Sequence, residues 1–422
     1  MRPSIKILFG IFSVFVFITS CDVQTENIIL ADAQQPEIFA KYVSIGGSLV
    51  AGYTNGGLYR DGQEASYPNL IAKQAGVSFE QALFPIGQEN GTGFLITSAG
   101  NSSTQFDKVV DKTGIISTTP LLFSKYSGNL GNYGIVNLRM SDVNKTGLGN
   151  VKIQGFNPYF ERILPTGKED LSYIELVKAS NFTFFTASIG DYDMLTFAAS
   201  GGRNSMTETS VFALNCQKLF DALVVNKAQG IVTNLPNILD LPYFNYYSFD
   251  EIAKKIGVLG IYITTGNGII RLATSEDKIL LDAISNVGKS NGLGQKKGHL
   301  ASYPLSNEEV LDKDEINAVA ARLNDFNGVL NFEANKRSIP VFDLNNLYKQ
   351  VKNKSFIVNG IKFDNSLMTG SFFSLDGIHP TPRGSAVIAN EIIKVINDNY
   401  KNSIKVAIPT LDVSRFEGLK IK

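Results

Sequence analysis

Cysteine and histidine are both scarce in this chain, and their scarcity excludes several kinds of site. The 422 residues include two cysteines, Cys21 and Cys216. Cys21 ends a predicted export signal, so the exported chain would keep one other thiol and form no internal disulfide. The helical spacing of apolar residues around Cys216 predicts a buried structural thiol. Neither cysteine belongs to a metal-ligand cluster, and the sequence predicts no metal site and no organic cofactor.

The chain also lacks an excess of charge of either sign. Its 39 lysines and arginines balance 39 aspartates and glutamates. It has no basic patch of the kind that nucleic-acid binding requires, so we exclude nucleic acid as a partner. The length allows two or three domains, or one α/β domain with long insertions.

The first 20 residues have the composition of a secretory signal. Two basic residues precede an apolar run at residues 7–18, which is too short to predict a membrane span. The run ends in small residues and Cys21, which resembles a lipoprotein processing box; a plain signal peptide is the alternative. We predict a lipoprotein signal peptide at residues 1–20, acylation of Cys21 and a lipid-anchored tether at residues 21–39. The protein would then lie in the bacterial envelope, facing the periplasm or the cell surface.

Stretches typical of strands alternate with stretches typical of helices between residues 40 and 400. This alternation predicts one domain of the α/β class, with a parallel sheet covered by helices on both faces. We predict strands at residues 41–45, 134–138, 182–189, 230–234 and 339–343, and helices at residues 66–75, 170–179, 207–225, 314–335 and 382–400.

Two long segments do not follow this alternation. Residues 87–132 are rich in small polar residues, and residues 242–305 carry many aromatics followed by a run of glycines and lysines. Loops of such length are usually functional or form a subdomain, so we predict insertions that build a cap over a cleft. Residues 401–422 are predicted to form an irregular tail.

One of the two histidines stands in a motif that suits hydrolytic chemistry. In Asp376-Gly377-Ile378-His379-Pro380, a carboxylate precedes an imidazole by three residues, so one turn can carry both. The carboxylate can fix the tautomer of the imidazole, which can then take a proton from a serine. The alternative is a helix-entry turn with His379 on the surface. The other histidine, His299, lies in a loop of glycines and lysines and is expected to be solvated.

A serine that could complete this motif lies near the opposite end of the chain. Ser48 follows two glycines at the end of the first predicted strand. Reacting groups gather at the carboxyl ends of strands in an open α/β sheet. The alternative is an ordinary serine in a glycine turn. The segment lacks the second glycine of the G-x-S-x-G elbow, which disfavours the common α/β-hydrolase fold.

Together the two motifs resemble those of the SGNH (GDSL) esterase family. Gly46-Gly47-Ser48-Leu49 is similar to the family's first block, and Asp376, His379 and Pro380 match its Asp-x-x-His-Pro block. The resemblance covers residues 41–400 and implies a three-layer α/β/α sandwich with a central parallel sheet. It also implies ester hydrolysis in which Ser48 is the nucleophile, His379 is the base and Asp376 orients the imidazole.

The blocks that supply the family's oxyanion hole differ in this chain. The best match to the second block puts Asp142 at the position of a glycine whose N–H binds the oxyanion. A carboxylate there would oppose the negative charge that develops in the transition state. In the third block, Tyr192 stands where the family has a side-chain amide donor. Ser48, Asp142 and Tyr192 therefore form the predicted oxyanion region, and weak hydrolysis is expected.

Two classes of function are compatible with these features. The first is a serine esterase that acts on acyl or acetyl esters of a glycan or a lipid. The second is a catalytically degenerate binding lipoprotein that holds a glycan or a lipid in the same cleft. In both, the expected partners are a small-molecule, glycan or lipid ester ligand and the membrane, through the anchor at Cys21.

Overall fold

The computed structural model describes residues 37–97 and 106–420 of the chain. The predicted signal peptide, the lipidation site Cys21 and most of the predicted tether lie outside the described residues. Within the described ranges, no helix is long and apolar enough to span a membrane.

The described part of the chain contains short and long elements of both kinds. The strands are β1 (Tyr42–Gly46), β2 (Phe94–Ile96), β3 (Asp107–Val109), β4 (Ile115–Thr118), β5 (Leu121–Phe123), β6 (Asn132–Gly134), β7 (Phe184–Ser188), β8 (Gln229–Thr233), β9 (Tyr262–Thr264), β10 (Ile270–Leu272), β11 (Lys278–Ile279), β12 (Val310–Leu311), β13 (Val341–Phe342), β14 (Phe356–Val358) and β15 (Ile361–Phe363). The α-helices are α1 (Ser48–Ala51), α2 (Arg60–Glu64), α3 (Tyr67–Ala75), α4 (Pro158–Ile163), α5 (Tyr173–Lys178), α6 (Tyr192–Ala198), α7 (Thr209–Leu223), α8 (Phe249–Ile256), α9 (Lys313–Lys336), α10 (Leu344–Lys352) and α11 (Pro382–Ile404).

Five parallel strands form the central sheet, in the order β13-β8-β7-β1-β6. Both β1 and β7 are buried along their whole length, as expected for strands covered on two faces. The helices α3 and α11 pack together, and α11 also contacts β8 and β13. The helices α5, α7 and α9 form another layer, in which Phe212 stacks on Phe326 with ring centroids 3.8 Å apart. The predicted α/β sandwich with a parallel sheet is confirmed.

One predicted strand is wrong in a way that affects the site. The apolar stretch at residues 134–138 was expected to be extended, but β6 ends at Gly134. The chain then turns, with the Leu138 N–H donating to the Ile135 carbonyl over 3.2 Å. Asn137 has a φ of +63°, which a strand cannot contain. The turn replaces the end of the strand and presents the Asn137 backbone at the edge of the sheet.

The two predicted insertions contain short antiparallel hairpins. In residues 87–132, β2 pairs with β3 and β4 pairs with β5; in residues 242–305, β9 pairs with β10. The last helix, α11, continues to Ile404, past the predicted start of the tail. The following residues return to the domain, where Val413 is fully buried.

Cys216 and the two histidines lie in the described part of the chain. Cys216 in α7 is fully buried, and burial raises the pKa of its thiol, so the predicted structural role is confirmed. His299 is half-buried rather than solvated, and its Nε2 has no hydrogen-bond partner among the described residues. In residues 37–97 and 106–420, no group of three or more His, Cys, Asp or Glu side chains is placed to hold a metal ion.

Candidate active site

The end of β1 places Ser48 at the edge of the sheet. Gly46 has a φ of +147°, and an ideal Cβ there would lie 1.9 Å from the Ser188 carbonyl oxygen of the neighbouring strand. Only glycine fits so close to another backbone. The Gly47 N–H donates to the same oxygen over 3.0 Å. Ser48 then begins α1, with a largely buried side chain.

The turn after β6 supplies a donor to this serine. The Asn137 N–H donates to Ser48 Oγ over 3.1 Å. The positive φ of Asn137 is typical of glycine and tolerated best by asparagine among the larger residues. Asn137, in a backbone conformation typical of glycine, therefore directs its N–H at Ser48. The sequence motifs did not predict this donor.

Asp376 and His379 form the predicted pair. Asp376 Oδ2 lies 3.0 Å from His379 Nδ1 and accepts from the Gly56 N–H over 2.9 Å. Its Oδ1 accepts from the N–H groups of Ile378 and His379, both over 2.8 Å. Burial opposes the ionised form, but the imidazole and these bonds hold the pKa of Asp376 below its usual value. The ionised carboxylate therefore holds Nδ1 and leaves Nε2 as the nitrogen that can accept a proton.

Hydrogen bonds join residues 54–56 to the loop of the Asp–His pair. The Asn55 N–H donates to Ser374 Oγ over 2.9 Å, and Thr54 Oγ1 donates to the Pro380 carbonyl over 2.8 Å. The partners of these buried bonds are 319 and 326 positions apart in the chain. The segment that follows the serine thus positions the loop that carries the imidazole.

Tyr53 lies between the two parts of the site. Its N–H donates to the Ser48 carbonyl over 3.1 Å. Its ring packs edge-on against the His379 imidazole, with centroids 4.8 Å apart. The serine and the imidazole therefore share a direct neighbour at the same edge of the sheet.

A cavity of about 660 Å³ opens at this edge, with Asn137, His379 and Asp376 in its wall. Among the described residues that line it, none is a lysine or an arginine, and Asp282 is the one carboxylate besides Asp376. Both insertions contribute to the wall. Its larger aliphatic and phenylalanine side chains come from four parts of the chain: Leu95, Phe106, Leu195, Leu281, Leu375 and Ile378.

Asp142, the predicted acid of the oxyanion region, forms an ion pair with Arg139. Its carboxylate accepts two hydrogen bonds from the Arg139 guanidinium, over 2.8 and 3.0 Å. Its N–H donates to the Arg139 carbonyl over 3.0 Å. The charge of Asp142 is therefore paired and its N–H is used within the turn, whereas the donor to Ser48 is Asn137. The pairing of Arg139 with the acid three positions later is a sequence signal that could have been noticed.

Asp193, in the first turn of α6, fixes the same turn. Its carboxylate accepts from the N–H groups of Met140 and Ser141, over 2.5 and 3.1 Å, and from Thr207 Oγ1 over 2.6 Å. Burial raises the pKa of Asp193 to about 6, although these bonds oppose the rise.

Tyr192, the predicted substitute donor, lines the cavity, and burial raises the pKa of its phenol. A neutral phenol keeps a proton that it can donate.

Asp191 is a second residue that the sequence reasoning missed. Its Oδ1 lies 3.7 Å from the position that a Cβ would take at Gly47, so a carboxylate stands beside the residue before the serine. Burial raises the pKa of Asp191, and the nearby His379 offsets only part of the rise. Two features of the sequence could have indicated this role. Asp191 is an acid within the third block, and Gly47 stands where the family's first block has Asp or Asn.

A parallel α/β sandwich with a serine and an Asp–His pair at one edge of its sheet defines a protein of the serine-hydrolase type. A family profile described as GDSL-like Lipase/Acylhydrolase matches residues 42–392. The chain belongs to this family, as the motifs indicated, and its general chemistry is that of an esterase or acylhydrolase. No curated protein matches the chain.

The placement of Asp142 leads to a prediction about its charge. Asp142→Asn is expected to leave kcat within about threefold of the wild-type value, because an already paired charge changes the activation barrier by less than about 1 kcal/mol. The measurement is the hydrolysis rate of p-nitrophenyl acetate by the purified full chain. A tenfold increase would instead mean that the carboxylate opposes the oxyanion despite Arg139.

Proposed function

We propose that this chain is a serine esterase in which Ser48 is the nucleophile, His379 the general base and Asp376 the residue that orients the imidazole. The observation that carries the proposal is that four hydrogen-bond donors surround the Asp376 carboxylate. Its two oxygens bind three backbone N–H groups and His379 Nδ1. A helix-entry turn alone would not require a buried carboxylate to hold an imidazole in one tautomer at a cavity wall.

The proposed reaction proceeds in two acyl-transfer steps. His379 Nε2 takes the proton of Ser48 as Oγ attacks the ester carbonyl carbon, and the carbonyl oxygen gains the negative charge. The imidazolium then protonates the departing alcohol, which leaves an acyl-serine. A water molecule attacks the acyl carbon with His379 again as base, and Oγ recovers its proton.

Charge on the oxyanion would be stabilised beside the serine. The Asn137 N–H, which donates to Ser48 Oγ in the free protein, is one candidate backbone donor. Tyr192 lines the same cavity and, as a neutral phenol, is a second candidate donor. Losing one such donor typically costs about 10²–10³ in rate, so the replacement of the family's amide by a phenol favours a slow enzyme.

The cavity supports an uncharged acyl or acetyl ester of a glycan or a lipid as substrate. Its described lining residues include no cation that would bind a phosphate or a carboxylate. The apolar side chains suit an acyl chain. Thr196, Ser200, Asn204 and Ser285 offer hydroxyl and amide groups to a sugar or a glycerol.

A binding lipoprotein remains the second candidate, because Tyr192 stands in place of a donor that turnover uses. Labelling by a fluorophosphonate distinguishes the two. An activated Ser48 attacks phosphorus, displaces fluoride and acquires a stable phosphonyl group, which intact-mass measurement and peptide mapping detect. We expect stoichiometric labelling at Ser48. Unlabelled native protein would favour the binding function and contradict the esterase.

We also propose the envelope location. A signal peptide at residues 1–20, an acyl anchor on Cys21 and a tether at residues 21–39 would hold the domain at residues 40–400 at a membrane. The support is the sequence pattern before Cys21. Membrane fractionation of a Cys21→Ala variant tests the anchor, since loss of the acyl chains should release the protein.

A further inference from the structure

The second insertion exposes several aliphatic side chains to solvent. Leu259 is completely exposed and Leu293 is 84% exposed. Ile270 and Leu272, both in β10, are about half exposed at 49% and 44%. Single exposed apolar side chains are ordinary, whereas several that share one surface mark an interaction site.

The hairpin β9–β10 directs two of these side chains away from the core. Arg271 stands opposite the buried Ile263 and forms an ion pair with Asp277, so its side of the hairpin faces the protein. Ile270 and Leu272 alternate with Arg271 and therefore lie on the outer face. An ideal Cβ on Gly260 would be 3.2 Å from Leu272, which places the Leu259 segment next to that face.

A second turn of the same insertion carries Leu293. Ser290 and Lys296 form an antiparallel bridge, and Leu293 lies at the tip between them. The turn is joined to the first hairpin because the Tyr262 N–H donates to the Gly298 carbonyl over 2.7 Å. The exposed leucines and isoleucine therefore belong to one hydrogen-bonded unit.

Lysines without carboxylate partners flank these side chains. Lys254 and Lys255 end α8 just before Leu259, and Lys289 and Lys296 stand on either side of Leu293. All four are exposed, and none forms an ion pair with a described residue. We name the cap rim by its eight members, which are Leu259, Ile270, Leu272, Leu293, Lys254, Lys255, Lys289 and Lys296.

Most acidic groups near the cap rim form ion pairs with basic residues that are not members of the rim. Asp277 pairs with Arg271, Glu276 with Lys313 and Glu309 with Lys297. Two further acids, Asp250 and Glu251, stand in the first turn of α8, one helical turn from Lys254 and Lys255, but form no ion pair with them. At the turn that carries Leu293, the unpaired charge is the positive charge of Lys289 and Lys296.

We propose that the cap rim docks on the surface of an anionic lipid bilayer. Leucine and isoleucine side chains enter the boundary between headgroups and acyl chains, while lysines bind the anionic headgroups. A second copy of the chain fits less well, since a two-fold interface would bring the same lysines against each other. Docking itself does not rest on the proposed esterase function. It would bring the cavity close to lipid esters, because the cavity wall includes Leu281 and Asp282 of the same insertion. A lipid ester is then the substrate class that docking favours for the proposed esterase.

The absence of tryptophan from the chain allows a direct test. Leu259→Trp and Leu293→Trp, each in the full chain, introduce one fluorophore at the cap rim. Phe332→Trp is the matched control, because Phe332 is 65% exposed on α9. With vesicles of phosphatidylcholine and phosphatidylglycerol, the two rim variants are expected to show a blue shift and quenching by brominated lipid. The control is expected to show neither.

Further arms decide which interaction causes the shift. Changing the four rim lysines to glutamine should weaken vesicle binding, measured from the Leu293→Trp shift, about tenfold or more, given the attraction of each lysine to an anionic surface. Equal shifts with pure phosphatidylcholine, or a shift that grows with protein concentration without vesicles, would overturn the proposal. The proposal would also be overturned if Leu259→Trp and Leu293→Trp showed no blue shift with vesicles of phosphatidylcholine and phosphatidylglycerol. The readout needs no turnover, so it is separable from failure of fluorophosphonate labelling.

Discussion

Replacing Ser48 with alanine is expected to lower kcat/KM for p-nitrophenyl acetate by roughly 10⁴-fold. The change removes the oxygen that would form the acyl-enzyme. It also leaves the Asn137 N–H without the acceptor that it binds at 3.1 Å. Initial rates with purified full-length protein, corrected for spontaneous hydrolysis, measure the effect.

Ser127→Ala is the matched control for this change. Ser127 is exposed in the first insertion, so its loss should leave both the rate and the thermal unfolding temperature unchanged. The Ser48 variant should also fold, since alanine fits where serine does at the start of a helix. Retention of more than about a tenth of the wild-type rate, a barrier change under 1.4 kcal/mol, would show that another group performs the chemistry.

Asp376→Asn is expected to lower kcat by roughly 10³-fold with a smaller change in KM. Asparagine has one acceptor oxygen, whereas Asp376 accepts from three backbone N–H groups and from His379 Nδ1. The amide NH₂ would therefore face another donor, and the imidazole would lose both its orientation and its counter-charge. Steady-state kinetics over a range of ester concentrations separate the two constants.

Stability at low pH gives a second measurement on the same variant. The pKa of Asp376 is lowered in the folded protein from its ordinary value of 3.8. Its ionised form therefore stabilises the fold above pH 3.8, and this contribution is lost as the pH falls through the lowered pKa. Asp376→Asn should unfold at a lower temperature at pH 7 and lose less of its stability in acid. Asp398→Asn, at an exposed position of α11, is the control and should change neither kcat nor this pH dependence.

The two motifs of the site could be predicted from sequence, because each is formed by residues that are close together in the chain. Asp376 and His379 stand three residues apart, and the paired glycines before Ser48 indicate a sharp exit from a strand. The distance along the chain between the two motifs carries no information about their proximity in space. That proximity depends on the strand order β7-β1-β6 and on the bonds from Thr54 and Asn55.

The oxyanion region was harder to predict for a conformational reason. Residues 134–138 are apolar and β-branched enough to indicate a strand, and a positive φ at Asn137 leaves no mark in hydrophobic periodicity. The best sequence match to the second block puts Asp142 at the glycine position, and its carboxylate forms two hydrogen bonds with Arg139. Tyr192 lines the cavity, and a role of its phenol at the oxyanion stays a prediction.

The fold as a whole followed from the alternation of strands and helices. The predicted strands at residues 182–189 and 230–234 contain β7 and nearly all of β8, because continuous apolar runs mark strands buried on two faces. The hairpins within the insertions were not predicted. Their strands are three or four residues long, and such short segments carry too little periodicity to be recognised.

The bonds between residues 54–56 and the loop of the Asp–His pair determine when the site can exist during folding. Contacts between residues more than 300 positions apart form late, since the entropy of closing so long a loop must first be offset by packing of the intervening chain. On the ribosome the serine emerges long before the imidazole, which stands 331 positions later in the chain. Hydrolytic competence would therefore arise only with completion of the sheet and of α11, and a chain truncated before residue 374 would carry a serine without a base.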